Sequence, residues 1–148
     1  MALELPKDFK EFLRLLRAHR VEYLLIGAWA VGYHGYPRAT NDLDVWIAIS
    51  TVNAQRVVKA LREFGFDVSE PSASKFLQEN QIIRMGVEPI QIEISTSISG
   101  VDFAECYDER IESIMDGEPV SVISLRHLKI NKKASGRFKD LADLDYLP

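Results

Sequence analysis

The stretch Asn41-Asp42-Leu43-Asp44-Val45-Trp46-Ile47-Ala48-Ile49 constrains the fold of this chain more than any other. Leu43, Val45, Ile47 and Ile49 alternate with Asp42, Asp44, Trp46 and Ala48, the period of a β-strand with one face in the core. Side chains at i and i+2 of a strand share a face. The two carboxylates therefore stand side by side, roughly 6 to 7 Å apart from Cα to Cα. Such a pair repels and is costly to bury. A divalent cation removes the conflict, because Mg²⁺ takes one or two carboxylates together with water and phosphate oxygens. The doublet has a second reading, in which Asp42 caps a turn and Asp44 is a solvated strand residue.

The rest of the chain supplies elements to surround that strand. Pro6 to His19 is expected as a helix, with Phe9, Phe12, Leu13, Leu15 and Leu16 as its apolar stripe and Pro6 in the first turn. Val21 to Ile26 reads as a buried strand ended by Gly27. A short apolar helix follows over Ala28 to His34, broken by Gly35-Tyr36-Pro37. After the doublet strand, Ser50 or Thr51 caps a helix that Gly65 stops. Phe66 to Val68 reads as a short strand, and Glu70 to Gln81 is ambiguous around a helical turn at Phe76 and Leu77. Gln81 to Met85 and Val87 to Ser95 read as a β-hairpin about Gly86. Phe103 to Arg110 is a short helix. Ile111 to Met115 and Pro119 to Ile123 flank the turn signal Asp116-Gly117. Ser124 caps a helix to about Lys133, and Arg137 to Tyr146 forms the last one. Strands and helices mix without strict alternation, which predicts an α/β or α+β fold with a mixed sheet flanked by helices.

With 148 residues, 47 % hydrophobic and 27 % charged, the chain is expected to form a single domain, residues 1–148. That length buries about two-thirds of the unfolded surface without help from a disulfide or metal. No apolar run approaches the roughly 20 residues of a membrane span. The start of the chain lacks the pattern of a signal peptide, and the single Cys106 fits a reducing compartment. A cytoplasmic protein with no membrane partner is expected. A net charge of −4 argues against a generic nucleic-acid binder, which is usually basic.

Several residues join the doublet as candidates for chemistry. Glu93 lies between Ile92 and Ile94 on the polar side of an apolar strand, where a third carboxylate could complete a two-metal site for phosphoryl-type transfer; a solvent-facing glutamate fits the same alternation. Gly27-Ala28 sits at a strand-to-helix junction, where glycine permits close approach of a phosphate and the helix start offers free N–H groups, though a simple tight turn accounts for the pair equally. Arg38 and Thr40 precede the doublet, where either could reach a phosphate or be a plain loop side chain. Lys129, Lys132, Lys133, Arg137 and Lys139 form the one dense basic group, suited to a triphosphate or RNA phosphates, or else a solvated helix face paired with Asp140 and Asp143. Lys129 and Lys133 are the members assigned to the nucleotide. His19, His34 and His127 have no ligand spacing and are read as structural.

In order, Ile26-Gly27-Ala28-Trp29-Ala30-Val31, Pro37-Arg38-Ala39-Thr40-Asn41-Asp42-Leu43-Asp44-Val45 and Gln91-Ile92-Glu93-Ile94 resemble the signature of the DNA polymerase beta-like nucleotidyltransferase superfamily. Ser95 to Val101, Phe103 to Arg110 and the tail Ile123 to Asp143 resemble a branch of small stand-alone prokaryotic members, related to the nucleotidyltransferase toxins of abortive-infection systems. The resemblance implies the nucleotidyltransferase fold with an open cleft. It implies transfer of a nucleoside monophosphate from a nucleoside triphosphate to an acceptor hydroxyl of RNA, protein or a small molecule, dependent on two Mg²⁺ ions, with Mn²⁺ as a substitute. Asp42 and Asp44 would bind both metals, Glu93 would contact the catalytic metal and help deprotonate the acceptor, and Gly27 and Ala28 would hold the triphosphate. Ala28 stands where the family usually has Gly or Ser, and Glu93 where Asp is usual. The alternative is a non-catalytic member that binds nucleotide or a partner protein, as half of a toxin–antitoxin pair. A metal-dependent phosphodiesterase using the same carboxylates is a third reading.

Overall fold

The computed structural model describes residues 3–87 and 90–148. Its elements are α1 (Lys7–Ala18), β1 (Tyr23–Ile26), α2 (Gly27–Tyr33), β2 (Asp42–Ile47), α3 (Thr51–Phe64), α4 (Glu70–Lys75), β3 (Ile82–Val87), β4 (Ile90–Ser95), α5 (Phe103–Asp108), β5 (Ile111–Met115), β6 (Glu118–Val122), α6 (Leu125–Ser135) and α7 (Phe138–Tyr146). The strands form one mixed sheet in the order β3-β4-β2-β1-β6-β5. β1 runs antiparallel to β2 and parallel to β6, and β2 runs parallel to β4. The hairpins β3–β4 and β5–β6 close the two edges.

Local chemistry accounts for most element boundaries. Pro6 is the N-cap of α1, and the predicted stripe of Phe9, Phe12, Leu13, Leu15 and Leu16 is buried. Ser50 caps α3 by accepting the Asn53 N–H, and Gly65 ends it in the left-handed conformation at φ +110°. At the Asp116-Gly117 turn both residues have positive φ, as a two-residue hairpin of this kind requires. Ser124 caps α6 by accepting the His127 N–H. The buried Asn53 side chain ties α3 to the chain entering β1 and leaving β2, bonding the Glu22 N–H and C=O and the Ala48 C=O.

Three expectations need correction. Phe66 to Val68 is not a strand, because the Phe66 N–H is used to terminate α3 by bonding the Leu61 carbonyl (2.9 Å), leaving this segment no sheet partner. The helical turn expected at Phe76 and Leu77 lies earlier, as α4, whose start is set by the Ser69 side chain. Gly86 is not the hairpin turn: it stays in β3 opposite Gln91, and residues 88–89 lie outside the described residues. The pairing that continues past Gly86 matters, since it decides which side chain of β3 faces Glu93.

Candidate active site

β1 ends at Ile26, opposite Asp44 in antiparallel register. Asp44 in turn sits opposite Glu93 on β4, and Glu93 opposite Arg84 on β3. One row across the sheet therefore reads Ile26, Asp44, Glu93, Arg84, with Asp42 one step along the same face of β2, opposite Gln91. The chain leaves β1 through Gly27 at φ +68°, a conformation that L side chains rarely adopt. A Cβ on Gly27 would land on Asp44 Oδ2, far inside contact distance. The close approach that this glycine permits is thus to the Asp44 carboxylate itself.

The carboxylates are electrostatically interlocked. Burial pushes the Asp44 carboxyl up from 3.8 to about 7, reinforced by its hydrogen bond with Glu93 and by the Glu93 and Asp42 charges. For Glu93, burial alone acts upward. The hydrogen bond from Asp44 and the Arg84 guanidinium outweigh it and hold Glu93 below its ordinary value. Asp44 therefore carries the proton and Glu93 the charge. Glu93 is anchored by Arg84, Nε to Oε1, at 2.6 Å.

These groups form the floor of a cleft of about 470 Å³. Ile26, Gly27, Ala28, Asp42, Asp44 and Glu93 line one side, Ile82, Arg84, Ser95, Ser97, Ile98 and Ser99 another, and Asn131, Lys132, Ser135, Arg137, Lys139 and Asp140 of the α6–α7 junction the third. That junction is built on a buried ion network. Lys132 Nζ lies 2.7 Å from Asp140 Oδ1 and 3.0 Å from Asp143 Oδ2, with all three side chains at most 5 % exposed. Asp140 also accepts from Ser135 and from Arg137 (2.9 Å), and Asp143 from Arg38 (3.1 Å). The mutual pairing satisfies charges that would otherwise be costly to bury. The network draws the Asp140 carboxyl down to about 2: burial acts upward, but the Lys132, Ser135 and Arg137 hydrogen bonds and the Lys132 charge prevail.

The cleft brings together Gly27, Ala28, Asp42, Asp44 and Glu93. Arg38 does not reach it: its guanidinium is engaged by Asp143, so it braces α7. Thr40 is also outside, its hydroxyl accepting the Asp42 N–H (3.2 Å) and steadying the entry to β2. Lys129 and Lys133 do not line the cleft, because α6 turns Lys132 inward. Sequence reasoning passed over Arg84, whose position opposite Glu93 depends on the hairpin turn. It also left Lys132, Arg137 and Lys139 unassigned among the basic group; the repeated pairing of basic residues with Asp140 and Asp143 was the available signal.

Among the described residues, no three His, Cys, Asp or Glu side chains are gathered closely enough to hold a metal ion as they stand. Glu93 is instead paired with Arg84. The donor set nevertheless suits a hard cation. It offers only oxygens, and the repulsion between Asp44 and Glu93 is relieved by a proton and by Arg84, with a smaller contribution from Lys139, where a divalent ion would take over.

The family model described as aminoglycoside-2″-adenylyltransferase matches residues 8–145. No curated protein matches the chain by sequence. Among solved structures, a Thermotoga maritima protein classed as a nucleotidyltransferase superposes with a TM-score of 0.62 at 15 % identity, covering 93 % of this chain and 88 % of that one. Lincosamide antibiotic adenylyltransferase LnuA, solved with lincomycin, gives 0.62 at 17 % identity, covering 96 % and 95 %. ANT(2″)-Ia, solved with adenylyl-2″-tobramycin, gives 0.59 at 12 % identity, covering 93 % and 84 %. These likenesses carry the fold, and none supports the toxin–antitoxin alternative. The fold is that of the nucleotidyltransferases, and the chain belongs to the aminoglycoside-2″-adenylyltransferase family within the polymerase beta-like superfamily.

Proposed function

We propose that this protein transfers a nucleoside monophosphate, in keeping with its family an adenylyl group, from a nucleoside triphosphate to a hydroxyl of a small antibiotic-like molecule. The observation that carries the reading is the Asp44–Glu93 pair, with Asp42 beside it and Gly27 packed on Asp44, at the floor of an open cleft. The family match supplies the adenylyl donor and the small-molecule acceptor.

The chemistry follows from the positions. An acceptor oxygen attacks the α-phosphorus, the bond from that phosphorus to the bridging oxygen breaks, and pyrophosphate leaves with the bond's electrons. Glu93, kept ionised, is placed to accept the acceptor's proton. Asp42 and Asp44, with Glu93, would hold Mg²⁺ or Mn²⁺. The metal would supply charge neutralisation at the attacking and leaving oxygens. Gly27 and Ala28 line the cleft at the start of α2, which has no side-chain cap, and their N–H groups would suit phosphate oxygens.

The test is transfer of α-labelled phosphate from each of the four nucleoside triphosphates to a panel of aminoglycosides and lincosamides, with RNA and protein acceptors as competing arms. Label on a small-molecule hydroxyl with Mg²⁺ or Mn²⁺, reduced about 100-fold or more by Asp42→Asn plus Asp44→Asn, supports the reading. Absence of transfer to every acceptor, or transfer unaffected by the double substitution, overturns it. Transfer to RNA or protein alone overturns the acceptor assignment.

A further inference from the structure

If Glu93 takes the acceptor's proton, the reacting hydroxyl must come to it, and the side chains around Glu93 meet the acceptor first. Glu93 shares its face of β4 with Ser95, two residues along. Across the hairpin Glu93 stands opposite Arg84, and Ser95 opposite Ile82; all four line the cleft. Arg84 spends only part of its guanidinium on this partner. Its Nε donates to Glu93 Oε1 at 2.6 Å, and among the described residues the two η-nitrogens make no hydrogen bond. The side chain is 59 % exposed. An unused fork of N–H donors therefore sits on the same planar group that holds the proposed proton acceptor.

The charges of the cleft favour the same kind of acceptor. Its lining carboxylates are Asp42, Asp44, Glu93 and Asp140. The first three form the proposed metal set, and Asp140 is taken by Lys132, Ser135 and Arg137. Among the described residues that line the cleft, no carboxylate is left to receive an ammonium group. An ammonium beside the reacting hydroxyl would also meet Arg84, where it repels the guanidinium and has no lone pair to accept its N–H groups. A hydroxyl in that place does accept them. Adjacent hydroxyls of a sugar ring lie close enough together for one to meet Glu93 while the other meets Arg84. We propose that Arg84 is the specificity-determining residue for the acceptor: its η-nitrogens bind the oxygen next to the reacting hydroxyl, so the site takes a neutral vicinal diol of a sugar and rejects an amino sugar. This rests on the nucleotidyl-transfer reading above and narrows its acceptor class.

NMR titration of the full chain, saturated with Mg²⁺ and a non-hydrolysable ATP analogue, tests it. The probes are methyl α-D-glucopyranoside and the analogue with an amine in place of its middle ring hydroxyl. The parent protein is expected to bind the diol about tenfold or more tightly than the amino sugar, the worth of one charge-assisted contact. Arg84→Gln keeps N–H donors without the charge and should cut the preference to about twofold. Arg84→Lys should keep the bias against the amine, and Arg84→Glu should reverse it. Arg84 is largely exposed, so all three variants should fold as the parent does. A role confined to holding Glu93 would slow label transfer to both sugars alike and leave the preference unchanged, which overturns the assignment. A parent protein that favours the amino sugar, or binds neither, overturns it too. In each of these cases label on another small-molecule hydroxyl leaves the transfer reading intact. Absence of label on every acceptor overturns both.

Discussion

Asp44 and Glu93 face each other across parallel strands, where burial and the Glu93 carboxylate push the Asp44 carboxyl up while contacts with Asp44 and Arg84 hold Glu93 down. An acid whose folded value lies above its unfolded value binds more protons in the folded state, so its ionisation costs stability as pH rises. For Asp44 the window runs from 3.8 to about 7. Glu93 is shifted the other way, so its opposing contribution is complete near the bottom of that window. Between about pH 5 and 7 the metal-free protein should therefore lose stability with rising pH. Melting temperature against pH measures this, and Asp44→Asn should flatten the slope. Mg²⁺ competes with the proton and should stabilise the protein more at pH 8 than at pH 5. A parent slope no different from that of Asp44→Asn would refute the raised Asp44 carboxyl.

Gly27→Ala should be costly in two ways. It forces a side chain into φ +68° and drives a Cβ onto Asp44 Oδ2. The backbone strain alone is worth about 1 to 3 kcal/mol. Asp44 must also move, so transfer should fall more than stability predicts. Denaturant unfolding paired with the label-transfer assay separates the two. Stability within 0.5 kcal/mol of the parent, a threshold about the size of a neutral surface change, would remove the glycine requirement.

What could be read from the chain without its fold follows physical locality. Asp42, Asp44 and Glu93 were legible because strand alternation sorts polar from apolar faces within a few residues. Caps were legible for the same reason, as at Ser50, Gly65 and Ser124. Arg84 was not, because its pairing with Glu93 depends on the register of the β3–β4 hairpin. Nor was the division of labour among Lys129, Lys132, Lys133, Arg137 and Lys139. Which face of α6 meets α7 is a tertiary fact, and only it shows that Lys132 is a buried brace, Lys133 a solvated residue and Lys139 a cleft cation. Arg38 has the same history: near the doublet in sequence, it is bound to Asp143, 105 residues away.

Lys132→Met should destabilise the protein more than any other single change at the α6–α7 junction. Removing one partner of a buried pair typically costs about 3 to 5 kcal/mol, because the remaining charge is left uncompensated. Here Asp143 keeps Arg38 and Asp140 keeps Arg137, so the lower end of that range is expected. Urea unfolding measures it. A loss under 1 kcal/mol would mean that the arginines suffice and that Lys132 is not the centre of the network.

Asp140 sets the acid limit of the same junction. Its folded value of about 2 lies below the ordinary 3.8, so the folded state binds fewer protons and stability is present above pH 4 and lost as pH falls toward 2. The shift corresponds to about 2.5 kcal/mol at face value. The Arg137 partner is 76 % exposed and screened by solvent, so about 1 to 2 kcal/mol is the expected share. Asp140→Asn should lower stability at pH 7 by about that amount and make unfolding between pH 4 and 2 correspondingly shallower. The Asp44 slope runs in the opposite direction, so the two variants distort the pH–stability curve on opposite sides of its maximum. Acid unfolding that is equally steep in Asp140→Asn would show that another carboxylate carries the low-pH transition.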